Sequence, residues 1–135
     1  MRPSDPRKAA PALVIVDHGS RERAANRQLE AIAEAVRQRL PGRSVRIAHM
    51  EIARPSLEET LAQCVADGAA EIVVHPYFLA PGQHASSDIP HRAAAVAARH
   101  PGLRIRVTQP LGVHDGVVQA VVERLTEGGS CSHRR

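Results

Sequence analysis

Four times along this chain a short run of aliphatic residues is followed by a stretch in which aliphatic residues return every third or fourth position. Runs of that kind suit strands buried on both faces, and the stripes suit helices that cover them. The alternation therefore predicts parallel strands joined by right-handed helical crossovers. Leu13 to Val16 is the first run; Ala25, Leu29, Ile32, Ala33, Val36 and Leu40 form the stripe behind it, and Pro41-Gly42 ends that helix. Val45 to Met50 is the second run. Ser56 and Glu59 then form a capping box after Pro55, Leu57, Leu61, Cys64 and Val65 make the buried stripe, and Gly68 is the stop. Glu71 to Leu79 is the most apolar run, followed by an Ala80-Pro81-Gly82-Gln83-His84 loop. Ser87-Asp88-Ile89-Pro90 supplies polar caps and a first-turn proline for an Ala-rich helix over 93–98, which His100-Pro101-Gly102 ends. Leu103 to Val107 is the fourth run, and Val118, Val121, Val122 and Leu125 carry the last stripe before Gly128-Gly129. The expectation is an α/β fold, a single open parallel four-stranded sheet with helices on both faces. It spans residues 10–128, between flexible tails at 1–9 and 129–135.

A chain of 135 residues is one domain with room for a real core. Tyr77 and Phe78 are its only aromatic residues apart from histidine and it has no Trp, so a module that stacks bases has almost nothing to stack with. The net charge of +4 points the wrong way at first sight: Arg2, Arg7, Lys8, Arg134 and Arg135 lie in the tails, and residues 9–127 carry equal numbers of basic and acidic side chains. No basic stripe for phosphates results, and nucleic acid is excluded as a partner. Cys64 and Cys131 make neither a disulfide framework nor a CxxC pair, which fits a reducing cytoplasm. The apolar run from Ala12 to Val16 is too short for a signal segment or a membrane span, so a cytoplasmic protein without a membrane partner is expected.

Polar residues punctuate the ends of the runs. His18 follows the first, Glu51 the second, and His84 lies in the loop after the third, along the rim where open parallel sheets bind ligands. In Asp17-His18-Gly19-Ser20 the glycine permits a sharp turn, Ser20 can cap the following helix, and His18 projects into the rim cleft. A histidine bonded within the turn is the alternative. His49 and Glu51, two apart on one strand, share a face, and either can be a ligand or a buried polar contact. A carboxylate within the apolar IAHMEIA segment needs a metal or an imidazolium to offset its desolvation. Nothing about packing calls for a ring at His84, so its loop position favours function. His75, inside the third run beside Pro76, reads as a satisfied core or edge histidine. His91 and His114 lie near helix starts on the ligand rim.

The segments DHGSRERAANRQLE, AHMEIARPSLEETL, VVHPYFLAPGQHASSDIP and LGVHDGVVQAVVERL, in that order, resemble the sirohydrochlorin cobaltochelatases and ferrochelatases of cobalamin and sirohaem synthesis, class II tetrapyrrole chelatases, in their short single-domain form. The resemblance covers about residues 12 to 127. It is carried most specifically by the HGS turn, the PSL segment after a strand-end Glu, and the PYFL-x-PG-x-H loop ending in DIP. It implies that His18 and His84 bind metal and that Glu51 lies in the same cleft. His75 departs from the usual small apolar residue, and Arg54 stands where an acidic residue is common.

The implied activity is insertion of a divalent metal, Co²⁺ foremost and Fe²⁺ or Ni²⁺ as alternatives, into a sirohydrochlorin-type tetrapyrrole, a lyase reaction. Two neutral imidazoles and a carboxylate bind first-row ions without the tight hold of thiolates, so the ion is a substrate and no permanent cofactor is implied. A histidine or Glu51 is the natural acceptor of the pyrrole protons. Arg21, Arg54 and Arg92 are candidates to grip the substrate's carboxylates, with His114 beside them. Longer relatives carry two such domains across one cleft, so a homodimer is expected, with its contact at the Pro81 to Ser87 loop and the start of the last helix near His114. The rivals are a non-catalytic metal or tetrapyrrole carrier on the same fold and an RHG-type histidine phosphatase. Against the latter, Asp17 stands where a phosphate-holding arginine is needed.

Overall fold

The computed structural model describes residues 10–80 and 82–128, and of residues 83–87 the backbone alone. Strands β1 (Ala12–Asp17), β2 (Val45–His49), β3 (Glu71–Pro76) and β4 (Arg104–Val107) alternate with helices α1 (Arg23–Arg39), α2 (Leu57–Ala66), α3 (Gln83–Ala98) and α4 (Asp115–Leu125). All strand pairs are parallel, in the order β2-β1-β3-β4. The aliphatic runs of β1 and β3 take the centre because only there is a strand covered on both faces. Arginine-bearing β2 and β4 take the edges, where Arg46, Arg104 and Arg106 reach water.

The register sorts side chains by face. Val14, Val16, Ala48, Ile72 and Val74 meet Leu57, Leu61 and Cys64 of α2 and Ile89 and Val96 of α3. Burial among these aliphatics pushes the Cys64 thiol up to about 11, so it behaves as a small apolar residue. On the other face Ile15 and Val45 meet Leu29 and Ala33 of α1. The capping box of α2 is formed: Ser56 Oγ accepts from the Glu59 N–H at 3.1 Å, and Glu59 Oε1 accepts from the Ser56 N–H at 2.8 Å.

Three local expectations are corrected. Ser20 does not cap α1, which begins beyond Glu22; its hydroxyl accepts from the Glu22 N–H at 3.0 Å, and Asn26 clasps its backbone through two hydrogen bonds. Pro90 is no first-turn proline. Helix α3 starts at Gln83, which leaves Pro90 inside it, and the fully buried Ile89 anchors that stretch to the core. Helix α4 leaves its apolar stripe bare: Val118, Val121, Val122 and Leu125 are 45–77% exposed. The tails 1–9 and 129–135 lie outside the described residues.

Candidate functional site

Strand order reverses between β1 and β3: the chain steps from β1 out to β2, then crosses back to β3 on the other side. At such a switch point the crossover loops part and leave a crevice over the carboxyl ends of the strands. His18 leaves β1 directly into it. The side chain is exposed, and its ring lies against Phe78, just past β3, with centroids 4.4 Å apart and planes tilted by 35°. That contact restricts the imidazole from one side and leaves its other face to solvent.

The backbone beneath His18 is fixed by the neighbouring strand. The Met50 N–H donates to the Asp17 carbonyl at 2.8 Å and the Glu51 N–H to the His18 carbonyl at 3.0 Å, so the two chains stay paired past the strand ends. Gly19 is required here twice over. Its φ is +91°, and a Cβ would overlap the Glu51 carbonyl oxygen. Below this lashing, His49 is 2% exposed, and its Nδ1 bonds Asp17 Oδ1 at 2.6 Å. The pair satisfies two polar side chains that the core would otherwise leave unpaired.

Glu51 differs from its expected setting. Strand β2 ends at His49, and Glu51 lies in the following loop with an exposed side chain. No desolvated carboxylate therefore needs a partner; it is His49 that is buried, as a polar contact. The carboxylate of Glu51 is open to an arriving cation, and its field adds to those that hold the Arg92 guanidinium protonated.

The remaining candidates are spread along the same rim. The backbone of His84 lies in the first turn of α3, not in a loop; its side chain lies outside the described residues, as do Pro81 and the side chains to Ser87. Arg92 is largely spoken for. Its Nε and Nη2 donate to Glu58 at 2.7 and 2.6 Å and Nη1 donates to the Met50 carbonyl at 3.1 Å, which ties α3 to the end of β2. These bonds hold the Glu58 carboxyl below its usual range. Arg54 is exposed and pairs with Glu59, facing the outer edge of β2, and Arg21 is exposed in the loop after β1. His114 caps α4 by accepting from the Gly116 N–H through Nδ1 at 2.8 Å, which puts the proton of the neutral ring on Nε2. His75 is half-buried, with Nδ1 2.8 Å from Thr108 Oγ1, and burial lowers its pKa.

Among the described residues, no three of His, Cys, Asp and Glu converge on one point as a metal cage. The set His18, Glu51 and His84 is therefore not assembled by the described atoms. His18 directly follows β1 and Glu51 lies in the loop after β2, two exposed side chains beyond adjacent strands. Beside His18 a cavity of about 300 Å³ opens toward α1, lined in part by Asp17, Ser20, Gln28 and Tyr77. Sequence reasoning missed Phe78 and the Asp17–His49 pair. The signal for the latter is that β1 and β2 each end on a polar residue, Asp17 and His49, in mutual register.

Residues 12–128 match the family model CbiX. The chloroplastic sirohydrochlorin ferrochelatase of Arabidopsis thaliana is 39% identical over 116 residues, 86% of this chain and 52% of that protein. The sirohydrochlorin cobaltochelatase of Methanocaldococcus jannaschii is 28% identical, over 84% of this chain and 96% of its own length. The solved sirohydrochlorin chelatase SirB of Bacillus subtilis subspecies spizizenii, in complex with cobalt, superposes with a TM-score of 0.80 at 33% identity, over 87% of this chain and 50% of that one. The chain thus spans about half the length of the Arabidopsis and Bacillus relatives and nearly all of the archaeal one. Among the described residues no helix is long and apolar enough to cross a membrane.

Proposed function

The chain belongs to the CbiX family, and from that membership we propose that it is a sirohydrochlorin metal chelatase, a lyase that inserts Co²⁺ or Fe²⁺, with Ni²⁺ as a further candidate. The observation that carries the reading is the exposed His18 at the switch point of the sheet with the open carboxylate of Glu51 on the adjoining strand end. The metal is a substrate. His18 and His84 serve as its ligands, because neutral imidazoles strip water from a first-row ion yet release it to four ring nitrogens. Glu51 serves as ligand and as acceptor of a pyrrole proton, and its exposure at the rim suits that transfer. Arg21 and His114 face the carboxylates of the substrate, His114 through its Nε2–H; Arg54, paired with Glu59 at the outer edge of β2, reaches them only by leaving that pair, and Arg92 serves chiefly to hold α3 against the end of β2. Cytoplasmic metal insertion for cobalamin or sirohaem completes the reading.

Assembly belongs to the same proposal. Two copies related by a two-fold axis with facing rims form one cleft over His18 and Glu51 of both. The bare apolar stripe of α4 supports a second copy as its cover.

Purified protein mixed with sirohydrochlorin and each of Co²⁺, Fe²⁺ and Ni²⁺ tests the reading by the change in the chromophore's absorption on metallation. Turnover with at least one ion is expected. The double variant His18→Ala, His84→Ala is expected to lose Co²⁺ binding and turnover while keeping its melting temperature; unaltered metal affinity would remove this site. Glu51→Gln is expected to slow insertion more than it weakens metal binding, since the amide keeps the shape and loses the basicity.

A further inference from the structure

Ile52 is the single non-glycine residue with positive φ among the described residues, at +73°. A β-branched side chain in the left-handed region crowds its own backbone, and Asn or Gly would sit there at lower cost. The strain is not spent on packing, because Ile52 is 61% exposed. A strained residue that buries little inside its own domain is a pointer to something it meets from outside.

It does not stand alone. Leu79 and Val113 are 69% and 94% exposed. Each of the three lies in a strand-to-helix loop: Ile52 after β2, Leu79 after β3, Val113 after β4. Leaving aside α4 and Leu40 at the end of α1, these are the exposed large aliphatic residues among the described ones. Single exposed aliphatics are ordinary on any surface. Three in successive loops of one rim, flanking the polar donors His18 and Glu51, are not scattered. In strand order they run Ile52, His18, Leu79, Val113, and the outer two are separated by three strand spacings, roughly 14 Å. A bare ion or a small anion cannot bridge that span; a flat, extended, largely apolar ligand can.

We infer that Ile52, Leu79 and Val113 form an apolar rim that seats the flat face of the tetrapyrrole over His18 and Glu51. The inference rests on the chelatase reading and adds to it the side chains that grip the macrocycle rather than the metal. Aliphatic contact under the ring face suits a ligand whose carboxylates lie at its edge, since orientation then comes from the polar edge and affinity from the face. The left-handed turn at Ile52 aims an aliphatic group from the same loop that supplies Glu51, so ring and proton acceptor are positioned by one backbone segment.

The test uses the full chain and three single variants, Ile52→Asn, Leu79→Ser and Val113→Ser, with metal-free sirohydrochlorin followed by equilibrium dialysis and Co²⁺ by calorimetry. Each variant is expected to lose about tenfold in tetrapyrrole affinity, the scale of one aliphatic side chain withdrawn from an apolar contact. Co²⁺ affinity should stay within about twofold. Asn tolerates the left-handed region, so Ile52→Asn should melt no lower than the wild type even as it loses the ligand. If all three variants bind sirohydrochlorin as tightly as a wild type that binds and metallates it, the apolar rim is wrong and the chelatase reading stands. A wild type that takes up no sirohydrochlorin overturns both. Lost binding that coincides with dissociation of dimers into monomers in sedimentation would assign these side chains to a subunit contact and overturn the inference.

Discussion

Helices α1 and α4 carry the same pattern and meet opposite fates. In α1 the residues Leu29, Ile32, Ala33 and Val36 recur at helical spacing; Leu29 and Ala33 are buried, and the other two pack beside them on β1 and β2. In α4 the residues Val118, Val121, Val122 and Leu125 recur the same way, and not one side chain of the helix is buried. The difference lies in what each helix has to lie on. Strands β1 and β2 offer Ile15, Val45 and Ile47 on the α1 side. On that same face β4 offers Arg104 and Arg106, aligned in register with Glu71 and Val73, while its apolar Ile105 and Val107 turn to the opposite face. A stripe of valines laid over those guanidiniums would strip them of water with no partner to compensate. Periodicity thus states that a face is to be covered, and the partner strand decides by what.

The comparison breaks most visibly at Leu29. Truncation to Ala leaves a cavity between α1 and β1–β2 and is expected to cost about 2–5 kcal/mol in denaturant unfolding. Val122→Ala in α4 should cost under about 0.5 kcal/mol when measured at a concentration low enough to keep the chain monomeric. Similar losses at both positions would mean that α4 is packed on its own domain after all.

The anchored end of the molecule also depends on Asp17. Asp17→Ala leaves the His49 ring, 2% exposed, without its partner, and a buried polar group so orphaned costs about 1–3 kcal/mol. Asp17→Asn keeps an acceptor oxygen and should recover most of that loss. An Asn variant as unstable as the Ala variant would show that the charge, rather than the hydrogen bond, is what His49 requires.

Much of this was legible beforehand, and the exceptions share a cause. The four strands follow from aliphatic runs and their spacing, and the α2 capping box from Ser56 and Glu59, because those signals are local. Contacts between distant residues were not legible. Asp17 and His49 are 32 positions apart, as His75 and Thr108 are 33 apart, and only strand order brings them together. The apolar IAHMEIA segment reads as strand through Glu51, yet the strand ends at His49 and Glu51 lies in the loop that holds Ile52 left-handed. Pro90 drew the start of α3 too late, since a proline marks helix starts by preference, and a buried Ile89 overrides that preference.

A gentler test of the two helices concerns their edges. If α4 is covered by a second copy, the double variant Val121→Asp, Val122→Asp should shift sedimentation at micromolar concentration from about twice 14.5 kDa to the chain mass. Unfolding of the monomer should change little, because the charges enter a face already in water. Two aspartates that leave the sedimentation unchanged would show that this stripe is not the contact and move attention to the rim loops.

The smallest effect belongs to α3, which buries Ile89, Ala93 and Val96 and is also tied to α2 by an ion pair. Its Arg92 is tied to Glu58 of α2, a pair with 22% and 45% of the side chains exposed. Such partial exposure screens the pair and holds its worth below about 1 kcal/mol. Glu58 has its pKa lowered from 4.5, first by the hydrogen bonds from Arg92. A carboxyl that binds its proton less readily folded than unfolded adds stability above the unfolded value. That contribution is fully present at pH 7 and drains away as pH falls from about 4.5 through the lower folded value. Glu58→Gln should therefore be slightly less stable than the wild type at pH 7, and the gap in denaturant midpoint should close as the pH falls through the lowered folded value. High salt should narrow the gap at pH 7 in the same direction. A gap that persists in acid would mean that packing of the Glu58 side chain between α2 and α3, not its charge, sets the contribution, and α3 would then belong with α1 as a helix held by its buried face alone.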